Sequence, residues 1–326
     1  MAHSKKAIPS ADRDVRPLGR DEYESWLVSL EPEIACALAA RSTLRALPLG
    51  FSETKEADLS EFVLLNVLRC TALTLARALY PETWEALRVF GHLSAAASHE
   101  LSIQLLEARS EYHKFGSRIL SWECDLSATE EALRLSVHLA TLVFEYSDRH
   151  AAYGATEAAA DAIDAVERGH IFRTSKKEVY GAGSDGLEVG RRARDRIWSA
   201  NLDDASFIIG GDSVSALMKR PLWRDSRMGW CEGHPKRSIF PTSTQWRVWK
   251  RLIDRIRKRR PVSKSELFAY CSIPESVWKK GAASTNDHID ETITSGTDLS
   301  PPLDAINEAI VNTIVHNLRT TERSRR

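Results

Sequence analysis

From Asp21 onward the chain repeats one pattern: apolar residues three or four apart, segment after segment, with no apolar/polar alternation of strand length. That spacing lays apolar side chains along one stripe of a helix and gives a strand no continuous face. The nearest approach to a strand, Phe207–Ile209, is too short. The expected fold class is therefore all-α: an N-terminal alanine-rich helical bundle and a smaller C-terminal helical module. Packing of helix faces, more than intrinsic propensity, should stabilise both.

Helix punctuation supports this reading. Pro32 suits the first turn of a helix carrying Ile34, Leu38, Leu44 and Leu47, which should stop before Pro48. Asp58 with Glu61 resembles a capping pair for a helix through Leu65, Leu68 and Leu75 that ends before Pro81. A long alanine-rich helix is expected over 82–115, and the Ser127/Glu130 box opens another, with alanine-rich sequence to about residue 167. Glycine and charge in 171–186 read as a loop and domain boundary, after which a helix runs over 187–199. Short helices follow at 213–219, 263–271, 274–280 and 285–294, and 301–318 closes the chain. The expected organisation is a disordered tail (1–20), an acidic bundle (21–170), a linker (171–186) and a basic module (187–326).

Charge separates the two halves. Residues 1–170 carry 17 Lys and Arg against 26 Asp and Glu, whereas 171–326 carry 28 against 19, so a net charge of zero conceals a dipolar molecule. Such asymmetry points to an anionic partner for the basic half, or to mutual attraction of the halves or of two copies. Five well-separated cysteines make no disulfide framework, which favours a reducing cytoplasm. The N-terminus lacks the apolar stretch of a signal peptide, and Asn66, Arg69 and Arg77 break the longest apolar run, 62–80, so no membrane span is expected.

The basic charge peaks over 246–260. Trp246, Trp249, Leu252, Ile253 and Ile256 form one apolar stripe, and Arg247, Lys250, Arg251, Arg255, Lys258 and Arg259 stand outside it. These six are the candidate partner-binding residues. They could meet nucleic-acid phosphates, an anionic membrane surface, or the acidic N-terminal half of the same chain.

Candidate chemistry elsewhere is weak. Gly181, Gly183 and Gly186 match a dinucleotide fingerprint as a string, but the residues before them cannot form the buried strand it requires. Cys231, His234, Cys271 and His288 contain only one tight pair, where structural zinc takes two. Arg88/His92, Arg109/His113 and Arg134/His138 are too closely spaced for a helical ribonuclease pair, and Glu107/Glu111 match an ordinary solvated face. No nucleophile arrangement is present. The reading is not an enzyme, with no cofactor and no metal.

A spaced set of landmarks remains: Pro221-Leu222-Trp223, Trp246-x-x-Trp249, Ile273-Pro274-Glu275-x-x-Trp278-x-x-Gly281 and Asn286-x-His288-Ile289, with Ala39-Ala40-Arg41, Leu47-Pro48-Leu49 and Leu79-Tyr80-Pro81 upstream. Over residues 30–295 it resembles a family of alanine-rich, all-helical bacterial proteins with a C-terminal PLW, WxxW and IPxxWxxG module. Leu252 and Ile253 depart from that pattern, where another Trp or Tyr is usual, and the basic run to Arg260 is heavier. The resemblance implies architecture and brings no activity. Physically, Trp223, Trp246, Trp249 and Trp278 read as structural anchors, Ser272 and Glu275 as a helix cap, and Gly281 as a helix end. The function expected is a non-catalytic cytoplasmic interaction or scaffold protein with a protein partner or self-association. The alternative is a nucleic-acid-binding regulator or defence component using the basic helix.

Overall fold

A computed structural model describes residues 19–50, 57–88, 90–91, 150–161, 182–222 and 244–295. Among these, 83% are helical and none is in a strand, so the protein is all-α. The helices are α1 (Arg20–Val28), α2 (Pro32–Gly50), α3 (Ala57–Leu79), α4 (Ala182–Ile209) and α5 (Val214–Met218). They continue with α6 (Arg247–Arg257), α7 (Lys264–Cys271), α8 (Glu275–Trp278) and α9 (Ala282–Ser295). Residues 150–161 and 84–88 are also helical, and short 3-10 turns precede 84–88 (Pro81–Thr83) and α6 (Thr244–Trp246). No described helix is long and apolar enough to cross a membrane.

Helices α2 and α3 lie side by side at the centre. Residues 35–47 of α2 and 65–78 of α3 are buried all round, as expected of helices with neighbours on every face. Two apolar cores flank this pair. One gathers α1, most of α2, 150–161, α4 and α5 around Tyr23, Leu38 and Trp198. The other gathers α3 with α6–α9 around Leu68, Trp249, Tyr270 and Trp278, and takes Ala40, Leu44 and Leu47 from α2. The cores thus cut across the two sequence halves: α4 and α5 pack with the N-terminal helices, and α3 packs with the C-terminal ones.

Several local expectations are corrected. α2 runs through Pro48 to Gly50, because a proline near the C-terminal end removes one hydrogen bond from a helix that packing already holds. α3 starts at Ala57, so Asp58 lies inside it. The expected loop 171–186 is helical from Ala182, and α4 continues past residue 199 to Ile209; glycine propensity is a weak prior that tertiary context overrides. Arg20 opens α1 and is not part of the tail. The short helices expected from 213 and 263 are present, and Ser213 and Ser263 cap them, each hydroxyl accepting at 3.2 Å from the backbone N–H three residues on (Ala216, Glu266). The tail over 1–18, the helices expected over 92–149 and 301–318, residues 171–181, and Trp223 lie outside the described residues.

Candidate functional site

The apolar stripe of α6 is buried. Trp246, Val248, Trp249, Leu252 and Ile253 are each at most 4% exposed. Trp249 meets Trp278 edge-on, with ring centroids 6.2 Å apart at 84°, and lies 5.2 Å from Tyr270. Tyr270 donates its hydroxyl to the Val248 carbonyl at 2.9 Å, and the Asn286 amide donates to the Gln245 carbonyl at 2.5 Å. The start of α6 is thereby fastened to α7 and α9.

The cations of α6 divide by helical geometry. Arg247, Arg251 and Arg255 fall four residues apart on one shoulder, facing α9 and α7. Arg247 Nη2 stands 3.2 Å from Asp287 and 3.0 Å from Asp290, Arg251 Nη2 stands 2.9 Å from Asp290, and Arg255 pairs with Glu266. The acidic partners of these three arginines thus belong to the C-terminal module itself. Arg247 is 53% exposed, so its pairs contribute no more than about 1 kcal/mol each. Lys250, Lys258, Arg259 and Arg260 are exposed, and among the described residues none has a carboxylate within ion-pair distance.

The end of α6 is unusual. Arg259 adopts φ +56°, the left-handed region, and is the only described non-glycine residue to do so. The Arg259 and Arg260 N–H groups donate to the Ile256 and Arg255 carbonyls at 3.0 and 2.9 Å, the pattern of a helix closed by a left-handed residue. Glycine occupies that place without strain, whereas a residue with a Cβ costs on the order of 1–2 kcal/mol there.

Most of the IPxxWxxG landmarks are clasped by α3. Arg69 reaches from α3 to Glu275 (3.2 Å) and the Ile273 carbonyl (3.4 Å), with its guanidinium 4.8 Å above the Trp278 ring. Two turns earlier, Glu61 accepts from the Ala282 N–H at 2.7 Å and so caps α9 from another helix. Gly281, at φ +92°, lies beneath that carboxylate: a Cβ there would come 2.8 Å from Glu61 Oε1. The expected cap at α8 differs, since the Ser272 hydroxyl donates back to the Phe268 carbonyl and Glu275 turns to Arg69. Trp278 is buried at the centre of this contact.

A second clasp lies in the other core. Arg41 and Arg45, one turn apart on α2 and each 1% exposed, share the Asp204 carboxylate of α4 at 2.7 and 2.5 Å. Their remaining N–H groups hold α5, the chain after it and a side chain of α4. Arg41 donates to the Leu217, Arg220 and Pro221 carbonyls (3.0, 3.2 and 2.8 Å), and Arg45 to the Leu222 carbonyl (2.7 Å) and to Asn201 Oδ1. Burial alone would raise the Asp204 carboxyl, but Arg45 and Arg41 outweigh it and hold it below the usual carboxylate range. The Pro221-Leu222 landmark is therefore gripped through its backbone.

Sequence reading did not single out Arg45, Asp204 or Arg69 as site residues, and it gave Glu61 a cap on its own helix where the structure has it capping α9. A usable signal was present: charged residues inside otherwise apolar helices must find buried partners. Gly183 and Gly186 lie within α4. Cys271 is a buried thiol, His288 is half-buried on α9, and no group of three metal-ligating side chains comes together among the described residues. Cys231 and His234 lie outside the described residues. Comparisons with protein-family models, curated proteins and solved structures find no match to this chain.

Proposed function

We propose that this chain is a non-catalytic interaction protein that docks an anionic partner through the outer cations of its C-terminal helices. The observation carrying this reading is the division of charge on α6. Arg247, Arg251 and Arg255 are neutralised by Asp287, Asp290 and Glu266, while Lys250, Lys258 and Arg259 face solvent. The docking set is accordingly narrower than the six residues read from the sequence. A reducing, cytoplasmic setting fits the three described cysteines, Cys36, Cys70 and Cys271, all buried thiols.

The test is retention on immobilised heparin. The chain has no net charge, so retention at neutral pH must come from a local patch. Wild type should elute at higher salt than the Lys250→Glu/Lys258→Glu/Arg259→Glu variant, with both folded by circular dichroism. Equal elution of the two sinks the reading.

A further inference from the structure

We infer that the C-terminal end of α6, Lys258-Arg259-Arg260, is a seat for the sugar-phosphate backbone of duplex nucleic acid; this rests on the docking reading above. Three features of the molecule lead there. First, the three cations are consecutive, exposed and unmatched by any described carboxylate, and they close a helix whose other shoulder is already neutralised. Cations at a helix C-terminus also favour the helix dipole, but Arg255 and Arg257 already occupy the last turn and Lys258 the cap position, so Arg259 and Arg260 are not needed for this purpose.

Second, Arg259 holds the left-handed position that glycine would fill without strain. The chain keeps a positive side chain where backbone geometry disfavours any side chain, and backbone strain of this kind gathers at functional positions.

Third, the surroundings select the partner. The exposed residues of 244–295 are polar or charged apart from Pro261 and Ala283, and Trp246, Trp249 and Trp278 are buried. A protein interface centres on apolar and aromatic anchors, which the described residues of this surface do not present. Single-stranded nucleic acid is gripped by stacking bases on exposed rings, and these rings are inside. A surface of cations alone suits regularly spaced phosphates, read without base contacts.

The experiment titrates labelled duplex DNA of mixed sequence with the full chain by fluorescence anisotropy over a series of salt concentrations. Polyglutamate serves as an anionic probe without phosphates. Wild type should bind duplex with log affinity falling linearly against log salt. Arg259→Gly should melt no lower than wild type yet bind more weakly, with the salt slope reduced by about one. Lys258→Gln/Arg259→Gly/Arg260→Gln should lower the slope by about three. Arg247→Gln/Arg251→Gln, on the neutralised shoulder, should bind as wild type does. An unchanged slope in the triple variant, or a larger loss in the shoulder variant, overturns the seat. Wild type that binds polyglutamate but no duplex overturns the nucleic-acid inference and leaves the docking reading standing. Failure to bind either probe at low salt overturns both.

Discussion

The two cores stabilise themselves by different means. Among the described residues, eleven of nineteen members of the α1/α2/α4/α5 core are alanine, against five of twenty-eight in the α3/α6–α9 core. Alanine lets helix backbones approach closely but buries little area per residue and imposes little shape. Register in the alanine-rich core therefore falls to its few large rings, Tyr23, Tyr153 and Trp198, and to a polar device, the Arg41/Arg45/Asp204 clasp, which also fixes the chain after α5. The other core interlocks Trp249, Trp278 and Tyr270, and its buried cation, Arg69, lies against a ring and pairs at the margin with Glu275. Both cores interlock rings, Tyr23, Tyr153 and Trp198 in the first and Trp249, Tyr270 and Trp278 in the second, but the first adds a carboxylate shared by two buried arginines.

The sharpest way to break this comparison is one substitution in each core. Asp204→Asn leaves two buried guanidiniums without their carboxylate and should cost about 3–5 kcal/mol, read as a lower urea midpoint. Trp278→Ala empties the centre of the other core and should cost a similar amount, about 3–5 kcal/mol. Dependence on pH separates them. The folded-state pKa of Asp204 is depressed, so its contribution is present above the unfolded aspartate value of about 3.9 and is lost as pH falls through the folded value. Between neutral pH and about 3, the penalty of Asp204→Asn should shrink, while that of Trp278→Ala should not change through this group. A pH-independent Asp204→Asn penalty would show that the clasp does not act through charge.

Next in size is the junction where α3 meets the C-terminal helices. Gly281→Ala combines a left-handed backbone with a Cβ 2.8 Å from Glu61 Oε1, and should cost about 1–3 kcal/mol. In a double-mutant cycle, Glu61→Ala should recover the part due to crowding while losing the cap on α9; strict additivity would mean that the carboxylate does not crowd this site. The smallest effect is expected on the neutralised shoulder of α6. Arg251→Gln should change stability by less than about 1 kcal/mol, and added salt should reduce the difference further. A larger loss would promote that exposed pair to a structural role.

Much of the fold was legible locally. The apolar period marks the helices, Ser213 and Ser263 announce their starts, and Gly211 and Gly281 take the left-handed turns. The buried stripe of α6 follows from the spacing of Trp246, Trp249, Leu252 and Ile253. Boundaries that depend on neighbours were less legible: Pro48 fails to stop α2, and α4 runs unbroken to Ile209. The candidate site divides in the same way. That 246–260 would present cations was evident from the pattern, but which of them remain available was not, because Asp287 and Asp290 lie some forty residues away on a helix that only packing brings alongside.

The sequence by itself determined the helical class and the cationic character of α6, because both arise from residues within a few turns of one another, where helical period and side-chain charge act directly. Tertiary structure alone decided how charge is distributed between interior and surface. Arg41, Arg45 and Arg69 are buried because carboxylates and carbonyls more than 150 residues away meet them, and Lys258, Arg259 and Arg260 stay outside because no described carboxylate does. Ion pairing depends on distance in space, and distance in space is set by which helix faces bury each other.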